Sequence, residues 1–139
     1  METTNFLAWL TCVTLVGGFG LGTMIWAYKG SGSTAILFPQ PVAVPPSLLP
    51  VELKNTFERA SSAYTSGDFQ AAAEEFSRVI QSAPTLAQAY HNRGLAFANL
   101  RQDNEAASNL ARAGEIYAQH ENSAGIEAVK QNLMTLKAR

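Results

Sequence analysis

Residues 57–84 and 91–118 are two versions of one stretch. The first reads FERASSAYTSGDFQAAAEEFSRVIQSAP and the second HNRGLAFANLRQDNEAASNLARAGEIYA, so that Phe57 aligns with His91 and Pro84 with Ala118. In that alignment small residues answer small ones, Ala60 to Gly94 and Ala72 to Ala106. Phe76 answers Leu110, and Val79 meets Ala113. Self-similarity at a period of about 34 predicts stacked helical units, each too small to bury its own apolar face and so leaning on the next.

The chain before this stretch has a different texture. Of its 10 basic and 11 acidic side chains, only Glu2 and Lys29 fall between Met1 and Pro50. The net charge of −1 provides no global field that would draw nucleic acid or an acidic substrate. After a short tail, residues 1–5, the run from Phe6 to Tyr28 contains no charge. A helix of that length reaches about 34 Å, against a bilayer core of about 30 Å. Trp9 lies near one end and Trp26 and Tyr28 at the other, where aromatic belts sit. A cleaved leader would want a basic start and a small-x-small cleavage site, but this chain starts METTN. A retained transmembrane helix over residues 6–28 is therefore expected, in contact with membrane lipid. Thr14, Gly18 and Gly22 share one of its faces and would let another helix approach closely. Lys29 at its carboxyl-terminal end places the remainder of the chain on the cytoplasmic or stromal side. The single cysteine, Cys12, falls in the apolar run and reads as a buried thiol.

Residues 29–50 read as a linker. KGSGSTA is flexible by composition, and FPQPVAVPPSLLP holds five of the six prolines, which favours extended polyproline II. Ile36, Leu37, Phe38, Leu48 and Leu49 are apolar for a tether. They are expected to pack on the first helix of the following domain, with a membrane or a partner as the alternative.

Five helices are expected after the linker. The first runs from Val51 to Ser66, with Pro50 suited to its first turn and Gly67 to its stop. The second covers Phe69 to Gln81, and Pro84 opens a third that reaches Leu100. Arg101-Gln102 is the turn before a fourth, Asp103 to Ala118. Glu121 to Ala138 is the fifth, with Ile126, Val129, Leu133 and Leu136 as its apolar stripe.

These residues resemble the tetratricopeptide repeat family. The second unit supplies Tyr90, Gly94, Phe97, Ala106, Leu110 and Ala113 to that pattern, and the first supplies Ala60, Ala72, Phe76, Val79 and Pro84 with Gly67-Asp68-Phe69 at the turn. Thr56 and Ala63 stand where the first unit's aromatics belong, and Ala118 stands at the second unit's closing proline. The resemblance implies an all-α fold over residues 51–139, two helix-turn-helix units and a capping helix in an α-solenoid. Glu127, Lys130 and Gln131 give the cap a polar outer side. It further implies a concave groove lined by the first helix of each pair, here Lys54, Phe57, Ser61 and Tyr64, then Gln88, His91, Leu95, Ala98 and Asn99, with Asn92 adjoining. Relatives that grip chaperone carboxyl termini place lysine and arginine around such an asparagine. Only Asn92 matches here and His91 stands at a lysine position, so that specificity is not carried over.

Catalytic chemistry has no foothold in the sequence. His91 and His120 are 29 residues apart in the sequence, with no cysteine or carboxylate at ligand spacing, and Glu74-Glu75 point in different directions on a helix. The sequence indicates no enzyme, metal, cofactor or small-molecule substrate. The expectation is a membrane-anchored adaptor that binds protein partners. It resembles the thylakoid repeat proteins that assist photosystem assembly. The alternatives are a permanent small subunit of a membrane complex and, if the apolar start is cleaved, a secreted or periplasmic peptide-binding module.

Overall fold

The computed structural model describes residues 35–45 and 49–139. The expected span over residues 6–28, with Thr14, Gly18 and Gly22, lies outside the described residues, as do Cys12 and Leu48. Among the described residues no helix is long and apolar enough to cross a membrane. They are all-helical, with no strand: α1 Val51–Thr65, α2 Phe69–Ser82, α3 Ala87–Asn99, α4 Asp103–Gln119 and α5 Ser123–Ala138. Each helix packs on the next in chain order, and α3 also touches α5. Ile36–Arg139 forms one compact unit, so the part of the linker from Ile36 onward belongs to the helical body.

Three helix ends share one mechanism. After α1 the amide of Asp68 reaches back to the carbonyl of Ala63 and that of Gly67 to Tyr64. The same pair of bonds runs from Gln102 to Phe97 and Arg101 to Ala98 after α3, and from Asn122 to Tyr117 and Glu121 to Ala118 after α4. This closure needs a left-handed residue just past the helix. Gly67 takes φ 84° without steric cost, whereas Arg101 at 65° and Glu121 at 52° carry a side chain there. Starts are capped where the sequence permits. Asp68 accepts the amide of Ala71 at 3.1 Å and Asn122 that of Gly125 at 2.8 Å.

The first helix starts at Val51 as expected, but two prolines take other positions than expected. Pro50 is the residue before α1, its carbonyl taking the amides of Leu53 and Lys54. Pro84 does not begin α3. It sits second in a turn closed by the amide of Leu86 on the carbonyl of Ala83, and α3 starts at Ala87. Proline's fixed φ suits that turn position as well as it suits a helix start.

The core is built from the repeated positions. Ala60 and Gly94, Ala72 and Ala106, Phe76 and Leu110, and Val79 and Ala113 are all buried. Phe57 lies edge-on to Phe76 with ring centres 5.4 Å apart, and Tyr64 edge-on to Phe69 at 5.1 Å. Gly94 is where α3 crosses α4. A methyl group there would lie 3.1 Å from Leu110 Cγ and 3.2 Å from the Ala106 carbonyl. Helix α3 is buried on most of its circumference, as a helix enclosed by neighbours must be.

Replacing Gly94 with leucine is expected to destabilise the fold by about 3 kcal/mol, because neither the α4 backbone nor Leu110 can withdraw far enough. Arg101→Gly should act in the opposite direction, by about 0.5–1 kcal/mol, since relief of the left-handed strain exceeds glycine's added unfolded-state entropy. Urea titrations followed by circular dichroism measure both shifts.

Candidate functional site

The face expected to be an open groove holds the chain's own residues 37–42. Asn99 sits at the last turn of α3 and presents its whole side-chain amide to this segment. Its Oδ1 accepts the amides of Leu37 at 2.9 Å and Phe38 at 3.0 Å. Its Nδ2 donates to the Phe38 carbonyl at 2.8 Å and to the Tyr64 hydroxyl at 3.0 Å. The Tyr64 hydroxyl, from α1, donates to the same Phe38 carbonyl at 2.7 Å. Every hydrogen-bonding position of the Asn99 amide is therefore used. Burial holds the Tyr64 hydroxyl in its protonated form, which this donor role requires.

Asn92 repeats the arrangement two turns earlier. Its Oδ1 accepts the Val42 amide at 2.6 Å and its Nδ2 donates to the Val42 carbonyl at 2.9 Å. The segment thus runs antiparallel to α3, with Phe38 at Asn99 and Val42 at Asn92. The spacing matches. Seven helical residues rise about 10.5 Å, and four residues of polyproline II span about 12 Å. The three amides that donate belong to Leu37, Phe38 and Val42, and the prolines fall at Pro39 and Pro41, where no donor is needed. Phe38 is buried to 9 % exposure and Leu37, Val42 and Val44 pack against the core, whereas Ile36 remains 53 % exposed. Among the described residues no buried side-chain nitrogen or oxygen lacks a partner.

The other residues expected along this face are divided among different roles. Leu95 and Ala98 are buried in the core, and Phe57 belongs to the α1–α2 contact with Phe76. Lys54 is exposed and 3.9 Å from Glu58, and Ser61 is half-buried. Gln88 lines a cavity of about 390 Å³, together with Leu49, Leu53, Leu86, Tyr117 and His120. The cavity takes in the start of α3, one turn before Asn92, and the end of α4.

His91 requires a correction. The repeat register places it as an accessible anchor, but it is 0 % exposed. Asn132 of α5 covers it, its Nδ2 2.7 Å from His91 Nε2, and the Tyr117 hydroxyl lies 3.4 Å from Nδ1. With Asn132 donating to Nε2, the ring is neutral and carries its proton on Nδ1. Protonating Nε2 would set two donors face to face. Burial pushes its pKa from 6.5 down to about 4.

Of the linker residues, Leu37, Phe38 and Leu49 pack on the helical body as expected, but the first helix is not their only support. Phe38 does meet Tyr64 of α1, but its amide and its neighbour's are held by α3. The signal in the sequence is the absence of proline at 37, 38 and 42 within a proline-rich run, together with asparagines seven apart on one helical face.

No family model, no curated protein and no solved structure matches the chain.

The unfolded chain protonates His91 before the folded chain does, so its contribution is complete above pH 6.5 and is lost as pH falls towards 4. Between pH 7.5 and pH 5 the loss is about 2 kcal/mol. Urea midpoints across that range should fall accordingly. The slope should flatten in His91→Gln, which leaves nothing at this position to titrate.

Proposed function

We propose that the chain is a membrane-anchored tetratricopeptide-repeat adaptor that binds extended segments of protein partners and assists assembly of a membrane protein complex of the photosystem type. Residues 6–28 are its anchor in this reading, and the α1–α3 face is its binding surface. One observation carries the proposal: two asparagines on one helix hold the main chain of an extended segment, Asn99 at Phe38 and Asn92 at Val42. Contacts of that type recognise a polypeptide as such, because every non-proline residue offers the same amide and carbonyl. The single side chain taken into the core, Phe38, supplies an anchor of the kind that dominates peptide affinity. The repeat register and the close crossing at Gly94 support the family assignment. An anchor would raise the adaptor's local concentration near membrane partners without any added contact.

Purification of the tagged chain in mild detergent tests this. Subunits or precursors of one membrane complex should be recovered in less than stoichiometric amount. Recovery should fall about thirtyfold in Asn92→Ala with Asn99→Ala, the loss of about 2 kcal/mol expected at a hot spot. Arg112→Ala, exposed on α4 and paired with Glu115, should leave it unchanged. Stoichiometric recovery with one complete complex would make the chain a permanent subunit. Equal recovery in all variants would move the contact off this face.

A further inference from the structure

The segment on the α1–α3 face is an occupant as well as a linker. It makes the hydrogen bonds that a bound peptide would make, it buries an aromatic side chain, and it carries no charge from Ala35 to Pro45. It is joined to α1 by residues 45–50 alone, so it stays near the face even when detached. We infer that residues 37–44 are a built-in competitor that closes the peptide groove in the free protein, and that a partner binds by displacing them. The inference rests on the peptide-binding reading above and adds to it a state: closed until a partner arrives.

The geometry specifies the partner's chemistry. It is an extended, uncharged polypeptide segment with an aromatic residue where Phe38 lies. It has amide hydrogens at that residue, at the one before it and at the one four beyond, and prolines are admitted between them. The cavity of about 390 Å³ at the far end of the same face, lined by Leu49, Leu53, Leu86 and Tyr117, gives such a segment an advantage. A longer partner continuing past the position of Val42 can enter it, and so gain contacts beyond those available from the shared clasps.

The size of the effect follows from tethering. A ligand joined by a short connection is held at an effective concentration of about 1 mM. For a segment whose free affinity is about 10 µM, the groove is then closed in about 99 of 100 molecules. A competitor of equal intrinsic affinity meets an apparent affinity weakened about a hundredfold.

The test uses the full chain in detergent and one probe, a fluorescein-labelled synthetic peptide of residues 35–45, AILFPQPVAVP, read by anisotropy. The unaltered chain should bind it weakly. Phe38→Ala with Val42→Pro in the chain removes the anchor and one clasped amide, and should tighten peptide binding by about a hundredfold. Adding Asn92→Ala and Asn99→Ala to that variant should abolish binding. Equal, tight binding to the unaltered and the detached chains would overturn the closed state while leaving the peptide-binding reading intact. Absence of binding to the well-folded detached variant would overturn the reading itself. Doubling of the mass of the unaltered chain, lost in the detached variant, would mean that the segment seats in a second copy, and the closed monomer would be rejected. If the detached variant does not fold, amide exchange on the unaltered chain decides instead. The amides of Leu37, Phe38 and Val42 should be protected and should become labile on saturation with an excess of the peptide. Protection that persists at saturation would overturn displacement.

Discussion

Enclosing α3 on nearly all sides means that every polar group it buries must find a partner within the protein, and those partners join the rest of the body to it. Arg93 illustrates the demand. Its Nε donates to Asn109 of α4 at 2.7 Å, and its Nη1 donates to Ser77 of α2 at 3.0 Å. Its guanidinium also lies 5.6 Å from the centre of the Tyr90 ring. His91 reaches Tyr117 of α4 and Asn132 of α5. Asn92 and Asn99 take the extended segment, and Asn99 adds Tyr64 of α1. Four polar side chains on one helix thus contact every other element of the body. An unmet hydrogen-bonding group at this depth costs about 1–3 kcal/mol, which makes the arrangement specific as well as cohesive.

Helix α5 packs mainly on α4 and reaches α3 through a few contacts. Its fully buried residues are Val129 and Leu136, with Ile126 and Leu133 packed partly buried against the core, and polar and close contacts add to that stripe. Gly125 lets it pass close to Tyr117, where a methyl group would come within 2.5 Å of the ring. Asn132 then closes over His91. Arg139 donates to the carbonyl of Ala98 at 2.7 Å and pairs with Asp103, joining the far end of α5 to the end of α3 and the start of α4. The helix is held by its apolar stripe, by a close approach at Gly125 and by polar contacts at its middle and end.

How much of this is legible in the sequence depends on range. The internal repeat identifies buried positions on both copies, because a repeated environment selects similar side-chain sizes. Helix limits agree to within a residue or two wherever glycine, aspartate or asparagine marks them. At Pro84 the limit differs, because proline serves a turn and a helix start equally well. Arg101 and Glu121 give no local sign of a left-handed conformation, although Arg101 aligns with Gly67 in the repeat. The groove residues fall on the expected helices. Their neighbours are not the expected ones, because Asn132 of α5 covers His91, and the face is filled by residues whose composition reads as a tether. Register along one helix tells which way a side chain points and says nothing of what arrives from 41 or 62 residues away.

The asparagine clasps have a consequence for alignment. Main-chain contacts are indifferent to sequence, so an extended segment held only by them could slide along the face and settle in several alignments. Here the donors fall at 37, 38 and 42. Sliding one residue in either direction puts Pro39 or Pro41 where an amide hydrogen is required, and sliding forward by two, three or four residues also places a proline there. The prolines contribute no hydrogen bond of their own. They make every one of those alignments incomplete, and so favour over them the one in which Phe38 meets the core.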